Sequence, residues 1–339
     1  MRSPDVVIAG AGLIGLSCAL ELRAAGVAVT VVERGRAGQQ ASWAAGGMIG
    51  VNDSTHPHPP ELVAMAEHSG NLYRDFLEII AERGGTRVPY ETEWVLEQAE
   101  GWRHHRTTLP ALAGSGYRRH AEPSLDPRKL FAALREAVTK SDIIIQEDSP
   151  VRGAFQREGG IDVRVKDDVI SCGTFLDCTG AWSPPPVHPA KGQMLRVNAP
   201  GVMSARGLGN IVVRTRDLYL IPRLDGTIVI GSTIEDAGFD RTVHDADIQH
   251  LRAEAAALLP ALGDAPEVER WAGLRPDTPD HLPLIGRTGD HSFVAAGHFR
   301  NGILLAPATA QAMAELILNE PPVLDLHAFR PQRFHEYTA

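Results

Sequence analysis

The sequence predicts an α/β fold in which a parallel-sheet domain is interrupted by an antiparallel one. At the N-terminus, the apolar runs Val6–Ala9 and Val27–Val32 flank the helical pattern Leu13–Ala25, and this βαβ order requires parallel strands. Between Met194 and Gly231 the hydrophobic period changes to two, which is typical of an antiparallel sheet. The chain ends with a strand followed by a helix, which is again the pattern of the parallel-sheet domain.

Local start and stop signals predict the remaining elements. Pro60 opens a long helix that Gly84 and Gly85 end, because proline suits the first helical turn and glycine the position after the last. The Leu224-Asp225-Gly226 turn joins a hairpin. In chain order, the other elements are a helix from Asp126 and Pro127, the strand Ile143–Ile145, a turn at Gly159 and Gly160, the strand Thr174–Cys178, the hairpin strands Leu218–Arg223 and Thr227–Ile230, the helix Asp245–Leu259, the strand Phe293–Ala296 and a last helix through Leu318.

The length of 339 residues predicts about two domains, since a domain typically has ~150 residues. The pattern assigns residues 1–84, 126–190 and 272–339 to the parallel-sheet domain. It assigns residues 85–125 and 191–271 to the antiparallel-sheet domain.

Composition excludes several classes of protein. The net charge of -9 argues against sequence-independent nucleic-acid binding, which requires a concentrated positive field. Cys18, Cys172 and Cys178 have no C-x-x-C spacing and predict neither a disulfide framework nor a zinc site. No apolar stretch reaches the ~20 residues of a membrane helix, and glycines interrupt the N-terminal apolar run that resembles a signal peptide. We therefore expect a soluble, cytoplasmic protein without a nucleic-acid or membrane partner.

Two histidine pairs and one acidic run have simple explanations. His56-Pro57-His58 lies among prolines, and neither it nor His104-His105 has the spacing of ligands on one helix face, so both are interpreted as solvated loops. No metal is therefore expected. The acidic run Glu91–Glu100 is interpreted as solvated surface.

A glycine-rich turn, Gly10-Ala11-Gly12-Leu13-Ile14-Gly15, follows the first strand and opens the first helix. Its glycines allow a tight turn, close backbone approach to a pyrophosphate and close packing of the helix on the strand. Glu33 ends the second strand, where a carboxylate can accept a hydrogen bond from a ribose hydroxyl. These residues predict dinucleotide binding, with a purely steric glycine turn as the alternative. The fingerprint serves nicotinamide and flavin nucleotides alike.

Two further stretches suit a flat ligand. Ser42–Met48 consists mostly of small residues, whose backbone N–H groups can approach a ring closely; the alternative is a flexible loop. Gly297–Leu304 stands at a strand-to-helix junction near the C-terminus, where the positive end of a helix can face an anion.

Five motifs in a fixed order carry a resemblance that covers nearly the whole chain. They are the N-terminal fingerprint with Glu33-Arg34, Ala45-Gly46-Gly47-Met48-Ile49-Gly50, Lys191-Gly192-Gln193, Trp271-Ala272-Gly273-Leu274-Arg275-Pro276 and Ala295-Ala296-Gly297-His298-Phe299-Arg300-Asn301-Gly302-Ile303-Leu304-Leu305-Ala306-Pro307-Ala308-Thr309. With them the sequence resembles the D-amino-acid oxidase superfamily, and within it the glycine oxidases of the thiamine-pathway type.

The resemblance implies a Rossmann-type FAD-binding domain joined to an antiparallel-sheet substrate domain. It implies noncovalent FAD as hydride acceptor, a small amino acid and O₂ as substrates, and a 2-oxo acid, ammonia or an amine, and H₂O₂ as products. No catalytic side chain is required, because the flavin carries the chemistry. The residues implied at FAD are Gly10, Gly12, Leu13, Ile14, Gly15, Glu33, Arg34, Ala41, Ser42, Gly46, Gly47, Met48, Val151, Gly180, Trp182, His298, Phe299, Arg300, Asn301, Gly302, Ile303 and Leu304, and those implied at the substrate are Tyr219, Arg275, Arg300, Met48 and Ile234.

The substrate-facing residues also have structural explanations. Arg275 is either a surface side chain or a bidentate clamp for a carboxylate, and Tyr219 is either a half-buried strand aromatic or a partner of Arg275. Arg300 is either an ion-pair partner or a second substrate contact. Ile234 departs from the methionine of glycine oxidases, and Pro184–Pro189 is shorter and richer in proline; both affect substrate preference more than reaction type.

Two other functions fit the same motifs. One is a D-amino-acid dehydrogenase that passes electrons to a quinone, against which the lack of a membrane-binding amphipathic segment counts. The other is a flavin-binding scaffold without turnover, against which the presence of Arg275 and Tyr219 counts. Glycine, sarcosine, D-proline, D-alanine and bulkier amines all stay open as substrates, and so does a homo-oligomer.

Overall fold

The computed structural model describes residues 3–50, 58–98, 116–202 and 208–334, which form three sheets and six α-helices. The strands are β1 (Val6–Ala9), β2 (Val29–Val32), β3 (Thr92–Gln98), β4 (Tyr117–Ser124), β5 (Ile144–Gln146), β6 (Val151–Arg157), β7 (Gly160–Val165), β8 (Asp168–Cys172), β9 (Thr174–Asp177), β10 (His188–Asn198), β11 (Ile211–Arg214), β12 (Tyr219–Pro222), β13 (Thr227–Gly231), β14 (Glu267–Asp277), β15 (Leu284–Gly289) and β16 (Ser292–Ala296). The helices are α1 (Leu13–Ala24), α2 (Ala41–Ala44), α3 (Pro60–Gly84), α4 (Pro127–Lys140), α5 (Asp245–Leu258) and α6 (Ala306–Ile317).

The first sheet has the strand order β15-β16-β9-β1-β2-β5 and is parallel except for the antiparallel edge pair β15–β16. Helices α1, α3, α4 and α6 pack on one face and share a single apolar core with it. On the other face, Val7 and Val32 pack against Ile161 and Val163 of the antiparallel sheet β6-β7-β8. The strands β1 and β2 with α1 confirm the predicted βαβ unit.

The second sheet has the order β14-β10-β13-β12-β11-β3-β4. Helix α5 covers one face, where Ile248 and Leu251 pack against apolar strand residues. The opposite face carries Met194, Tyr219 and Trp271 and faces α2. The sheet is mixed rather than wholly antiparallel, because β11 runs parallel to β3. This strand pair was not predicted, because its two strands are far apart along the chain.

Where the sequence predicts the bounds of a helix or strand, the observed bounds lie within two residues of them. Bounds were not predicted for β3, β4, β6, β7, β8, β10, β11, β14 and β15. The helix α2 was not predicted, because four residues are too short to show a helical period. Strand β10 begins at His188 and β14 ends at Asp277, so both run across the proposed domain boundaries at 190 and 271. The division into two domains stays a proposal.

The prediction that Glu91–Glu100 is solvated surface is wrong for two of its carboxylates. Glu91 and Glu97 are 3% and 0% exposed. Lys129 donates to Glu91 at 2.6 Å, and Arg118 donates to Glu97 at 3.1 Å. The neutralising cations come from other elements, so the local sequence does not reveal that these carboxylates are paired and buried.

Candidate active site

A cavity of about 860 Å³ lies where the carboxyl ends of the parallel strands meet the second sheet. Ligands of open α/β sheets bind at this edge, because the loops after adjacent strands leave a crevice there. All of the residues that the sequence places at FAD or substrate line the cavity, except Gly15. The structure therefore brings together residues from both ends of the chain.

The glycine-rich turn has the packing that a pyrophosphate site needs. A Cβ on Gly10 would lie 2.3 Å from the carbonyl oxygen of Cys178, and one on Gly15 would lie 2.0 Å from that of Gly10. Both positions therefore exclude a side chain for reasons of packing. A Cβ on Gly12 would meet only Ser42 Oγ, at 3.4 Å, so this glycine keeps space open on the cavity side. This cradle fits a dinucleotide, as the sequence predicts.

Glu33 and the start of α1 complete the nucleotide end of the cavity. The Glu33 carboxylate accepts hydrogen bonds from the backbone N–H groups of Ala11 at 2.9 Å and Gly35 at 3.0 Å. Each oxygen retains a second lone pair for a ribose hydroxyl. The N-cap residue Gly12 has no capping side chain, and no acidic residue stands in the first turn of α1. Ser42 Oγ accepts from the N–H of Leu13 at 2.9 Å, and the remaining N–H groups of this turn can receive phosphate.

An aromatic stack that the sequence did not predict covers the same end. The Arg34 guanidinium lies 3.5 Å from the centre of the Trp182 ring, and Phe239 stacks on Trp182 with ring centres 5.5 Å apart. Arg241 donates to Gln40, a cavity residue, at 2.9 Å. Phe239 and Arg241 lie in a loop between β13 and α5, and nothing in their local sequence indicates this contact.

The segment Ser42–Met48 is held by hydrogen bonds from distant parts of the chain, which argues against the flexible-loop alternative. Arg223 Nη2 donates to the carbonyl of Gly46 at 2.7 Å, and Trp271 Nε1 donates to that of Ala44 at 3.0 Å. The backbone N–H of Leu125 donates to the carbonyl of Gly47 at 2.9 Å. The segment is therefore a fixed wall of the cavity.

The C-terminal motif leads into α6. The helix begins at Ala306, with Pro307 in its first turn. Its N-cap residue Leu305 makes no capping hydrogen bond, but Ser69 Oγ of α3 accepts from the N–H of Ala308 at 3.2 Å. The residues between Asn301 and the helix form turns, in which the N–H of Leu305 donates to the carbonyl of Asn301 at 2.8 Å. The positive end of α6 thus lies about one turn after Asn301, and can stabilise negative charge in the cavity.

His298 lies at 3% exposure, with its Nε2 3.1 Å from Thr309 Oγ1. Burial lowers the pKa of His298 to about 3, so the imidazole is neutral near pH 7. Unfolding would expose a group with a pKa of about 6.5. Between these values the unfolded chain binds the extra proton, so stability is lost as pH falls.

We therefore expect His298 to contribute a loss of about 1.4 kcal/mol in unfolding free energy per pH unit as the pH falls below about 6. Urea unfolding of the wild type and His298→Gln at pH 7, 6 and 5 measures this contribution as the difference between the two slopes. Equal slopes would show that His298 is not buried in the neutral form.

Arg275 lies on β14 with its guanidinium over the backbone of Gly192, where a Cβ would come within 2.2 Å of Nη1. Its Nη1 donates to the carbonyl of Thr233 at 3.2 Å, and its Nη2 donates to Ser232 Oγ at 2.5 Å. The Tyr219 hydroxyl, near the guanidinium, donates to Met194 Sδ at 3.7 Å. The contacts of Arg275 with Gly192, Ser232 and Thr233 were not predicted from the sequence, because only the fold places these residues beside Arg275.

The positive charge of Arg275 faces the cavity without a direct acidic partner. Within the described ranges, neither Arg275 nor Arg300 forms an ion pair, and Arg275 lines the cavity. Burial lowers the pKa of Arg275, and the nearby charge of Arg300 lowers it further. A guanidinium is still charged at neutral pH, so the site is suited to an anion.

The other predicted substrate residues lie around this clamp. Met48 is partly buried, with its Sδ 3.7 Å from Arg214 Nη2. Ile234 lines the cavity but is 54% exposed, which places it toward the mouth. These positions agree with a role in substrate contact, which stays a proposal.

Over the described part of the chain, there is no group of three or more histidine, cysteine or acidic residues suited to a metal ion. His56 and the pair His104-His105 lie outside the described residues. Cys18, Cys172 and Cys178 are free and buried. Among the described helices, none is long and apolar enough to span a membrane.

Comparison with known proteins identifies the family. A family model described as FAD dependent oxidoreductase (DAO) matches residues 5–316. The glycine oxidase of Pseudomonas aeruginosa is 34% identical, over 97% of this chain and 99% of its own length. The bifunctional ThiO/ThiG protein of Synechocystis is 32% identical over 97% of this chain, which spans 54% of that protein. The crystal structure of glycine oxidase from Geobacillus kaustophilus matches with a TM-score of 0.87 at 27% identity, covering 97% of this chain and 98% of that one.

These matches span both sheets and every motif that lines the cavity. The fold and the glycine-rich cradle fit either kind of nucleotide, and the family model decides for a flavin. The chain belongs to the FAD-dependent oxidoreductase family of the D-amino-acid oxidase type.

Proposed function

We propose that the protein oxidises the Cα–N bond of small amino acids and uses O₂ as the electron acceptor. The observation that carries the proposal is the Arg275 guanidinium, which faces the FAD cavity with no carboxylate partner among the described residues. An amino-acid carboxylate would supply that partner. The similarity to glycine oxidases supports a small substrate.

The residues of the cavity would mainly bind and orient the substrate. Arg275 would hold the carboxylate through two parallel hydrogen bonds, and the hydroxyl of Tyr219 would add a third. The charge of Arg300 disfavours a further cation and so favours the neutral form of the substrate amine. His298 is neutral and directed to Thr309, so it is not placed as a general base.

When bound, FAD would supply the acceptor for a hydride from the substrate Cα and the route by which two electrons reach O₂. The chain fixes the direction in which the Cα–H bond points, because the carboxylate is held at Arg275. Positioning of this kind can supply several kcal/mol of the barrier reduction. A matched pair of substrates with and without the carboxylate tests this role.

Glycine, sarcosine, D-alanine and D-proline should be assayed by H₂O₂ release, each beside its decarboxylated analogue, such as methylamine for glycine. We expect at least one amino acid to react, with a kcat/KM at least about 100-fold above that of its analogue. If the simple amines react as well as the amino acids, a carboxylate clamp does not define the substrate.

We also expect FAD to be bound noncovalently. Cys178 lines the cavity, but it contacts the glycine-rich turn, and burial raises the pKa of its thiol well above the usual value. A protonated thiol is a poor nucleophile. Acid precipitation should therefore release one FAD per chain into the supernatant. Yellow colour retained by the washed precipitate would contradict this.

A further inference from the structure

The Arg275 clamp depends on the turn that follows β13, because this turn supplies Ser232 and Thr233 as hydrogen-bond acceptors. We propose that the ion pair between the buried Lys191 and the partly buried Glu235, linked through Gln193, positions this turn and thereby the clamp. The inference rests on the proposed function insofar as Arg275 binds the substrate carboxylate. Lys191 and Glu235 would be positioning residues, since neither lines the cavity.

Lys191 is an unusual residue for the middle of a sheet. It lies on β10 with its side chain 0% exposed, while the neighbouring Gly192 and Met194 line the cavity. Its Nζ lies 3.1 Å from Glu235 Oε2, and this is its one ion pair among the described residues. Burial of an ammonium group with a single carboxylate contributes little to stability, and an apolar residue of similar volume often serves as well. Stability alone therefore does not explain this lysine.

Backbone contacts join the pair directly to the clamp. The N–H of Lys191 donates to the carbonyl of Glu235 at 3.0 Å, and the N–H of Glu235 donates to the carbonyl of Lys191 at 2.9 Å. The same Lys191 carbonyl accepts from Arg275 Nη1 at 3.4 Å. A shift of the pair would therefore move an acceptor of the guanidinium.

Side-chain contacts fix the orientation of Thr233. Its hydroxyl donates to Glu235 Oε1 at 2.5 Å and accepts from the backbone N–H of Gln193 at 2.8 Å. Gln193 Nε2 donates to the same Glu235 oxygen at 2.9 Å and to Asp247 Oδ2 at 2.6 Å. Thr233 is thus held on two sides, and its carbonyl is directed to Arg275.

Two single variants and their combination test the inference. Lys191→Met removes the ammonium at similar length, and leaves Glu235 without its cation. Glu235→Gln retains an acceptor for Thr233 but leaves Lys191 buried and unpaired. The double variant K191M/E235Q contains neither charge. As a control, Lys140→Met changes a lysine on α4 that contacts Gly84 and Glu136, remote from the cavity.

The first readout is the affinity of the FAD-loaded protein for acetate, a carboxylate that cannot be oxidised, followed by the flavin absorbance. We expect each single variant to weaken acetate binding by about 10-fold and to raise KM for the amino-acid substrate by a similar factor, with kcat within about threefold of the wild type. The double variant should stay about 10-fold weaker than the wild type, because it too lacks the ion pair that holds the turn. Recovery of its affinity would show that the single variants act only through an unpaired buried charge, and would overturn the inference. Lys140→Met should match the wild type.

The inference is overturned if either folded single variant binds acetate within about threefold of the wild type, even where its Tm falls. If one single variant does not fold, acetate binding by the other single variant decides the test. If acetate binding depends on Arg275 but no amino acid is oxidised, the proposed function fails and the acetate measurements still test the ion pair. If the wild type binds no acetate, both are overturned.

Discussion

Replacing Arg275 by Ala is expected to raise KM for the amino-acid substrate by roughly 10²- to 10³-fold while FAD stays bound. The loss of a charge-assisted pair in a desolvated pocket costs about 3 to 5 kcal/mol, and 1.4 kcal/mol corresponds to a factor of ten. The guanidinium contacts the substrate side of the cavity and not the glycine-rich turn, so the flavin spectrum should be retained. Steady-state kinetics and the absorbance spectrum measure both effects.

Two variants control this experiment. Arg275→Lys retains the charge but not the planar fork, and should give an intermediate KM. Arg287→Ala removes an exposed arginine of β15 that donates to the carbonyl of Asp290, and should behave as the wild type. Near-normal kinetics of Arg275→Ala would return this residue to a purely structural role.

Gly12→Ala is expected to weaken FAD binding by about 10- to 100-fold and to leave the fold intact. The added Cβ meets only Ser42 Oγ in the protein but occupies space at the cavity surface where the pyrophosphate would lie. Overpacking by one methyl group typically costs about 1 to 3 kcal/mol. The measurement is titration of the FAD-free protein with FAD, read out by quenching of flavin fluorescence.

Gly70→Ala is the matched control for this substitution. Gly70 lies within α3, and a Cβ there meets no atom within 4 Å. Alanine also has the higher helix propensity, so this variant should bind FAD normally and be at least as stable as the wild type. If Gly12→Ala binds FAD with unchanged affinity, the glycine-rich turn does not contact the pyrophosphate.

The nucleotide half of the site could be predicted well because its signals are local. The fingerprint from Gly10 to Gly15 spans six consecutive residues. The position of each glycine in the fingerprint indicates why a side chain is excluded there. Glu33 follows from the end of the next strand. The C-terminal motif was recognised through its length and its resemblance to a family.

The substrate half depends on contacts between distant segments, which periodicity does not show. Ser232 and Thr233 become acceptors for Arg275 only when β13 and β14 flank β10. From the sequence alone, Glu97 and Lys191 are predicted to lie at the surface, because the residues that pair with their charges are distant along the chain. The parallel pair β3–β11 was missed for the same reason.

A single-turnover experiment with the FAD-loaded protein tests whether the chain oxidises an amino acid and passes the electrons to O₂. The protein is first mixed with the best amino acid of the panel without oxygen, and the flavin absorbance should bleach. Buffer saturated with air is then added without any dye. We expect the yellow colour to return with one H₂O₂ per flavin, and one 2-oxo acid to be recovered. If the colour returns only when a quinone or artificial acceptor is added, the protein is a dehydrogenase and the oxidase assignment is wrong.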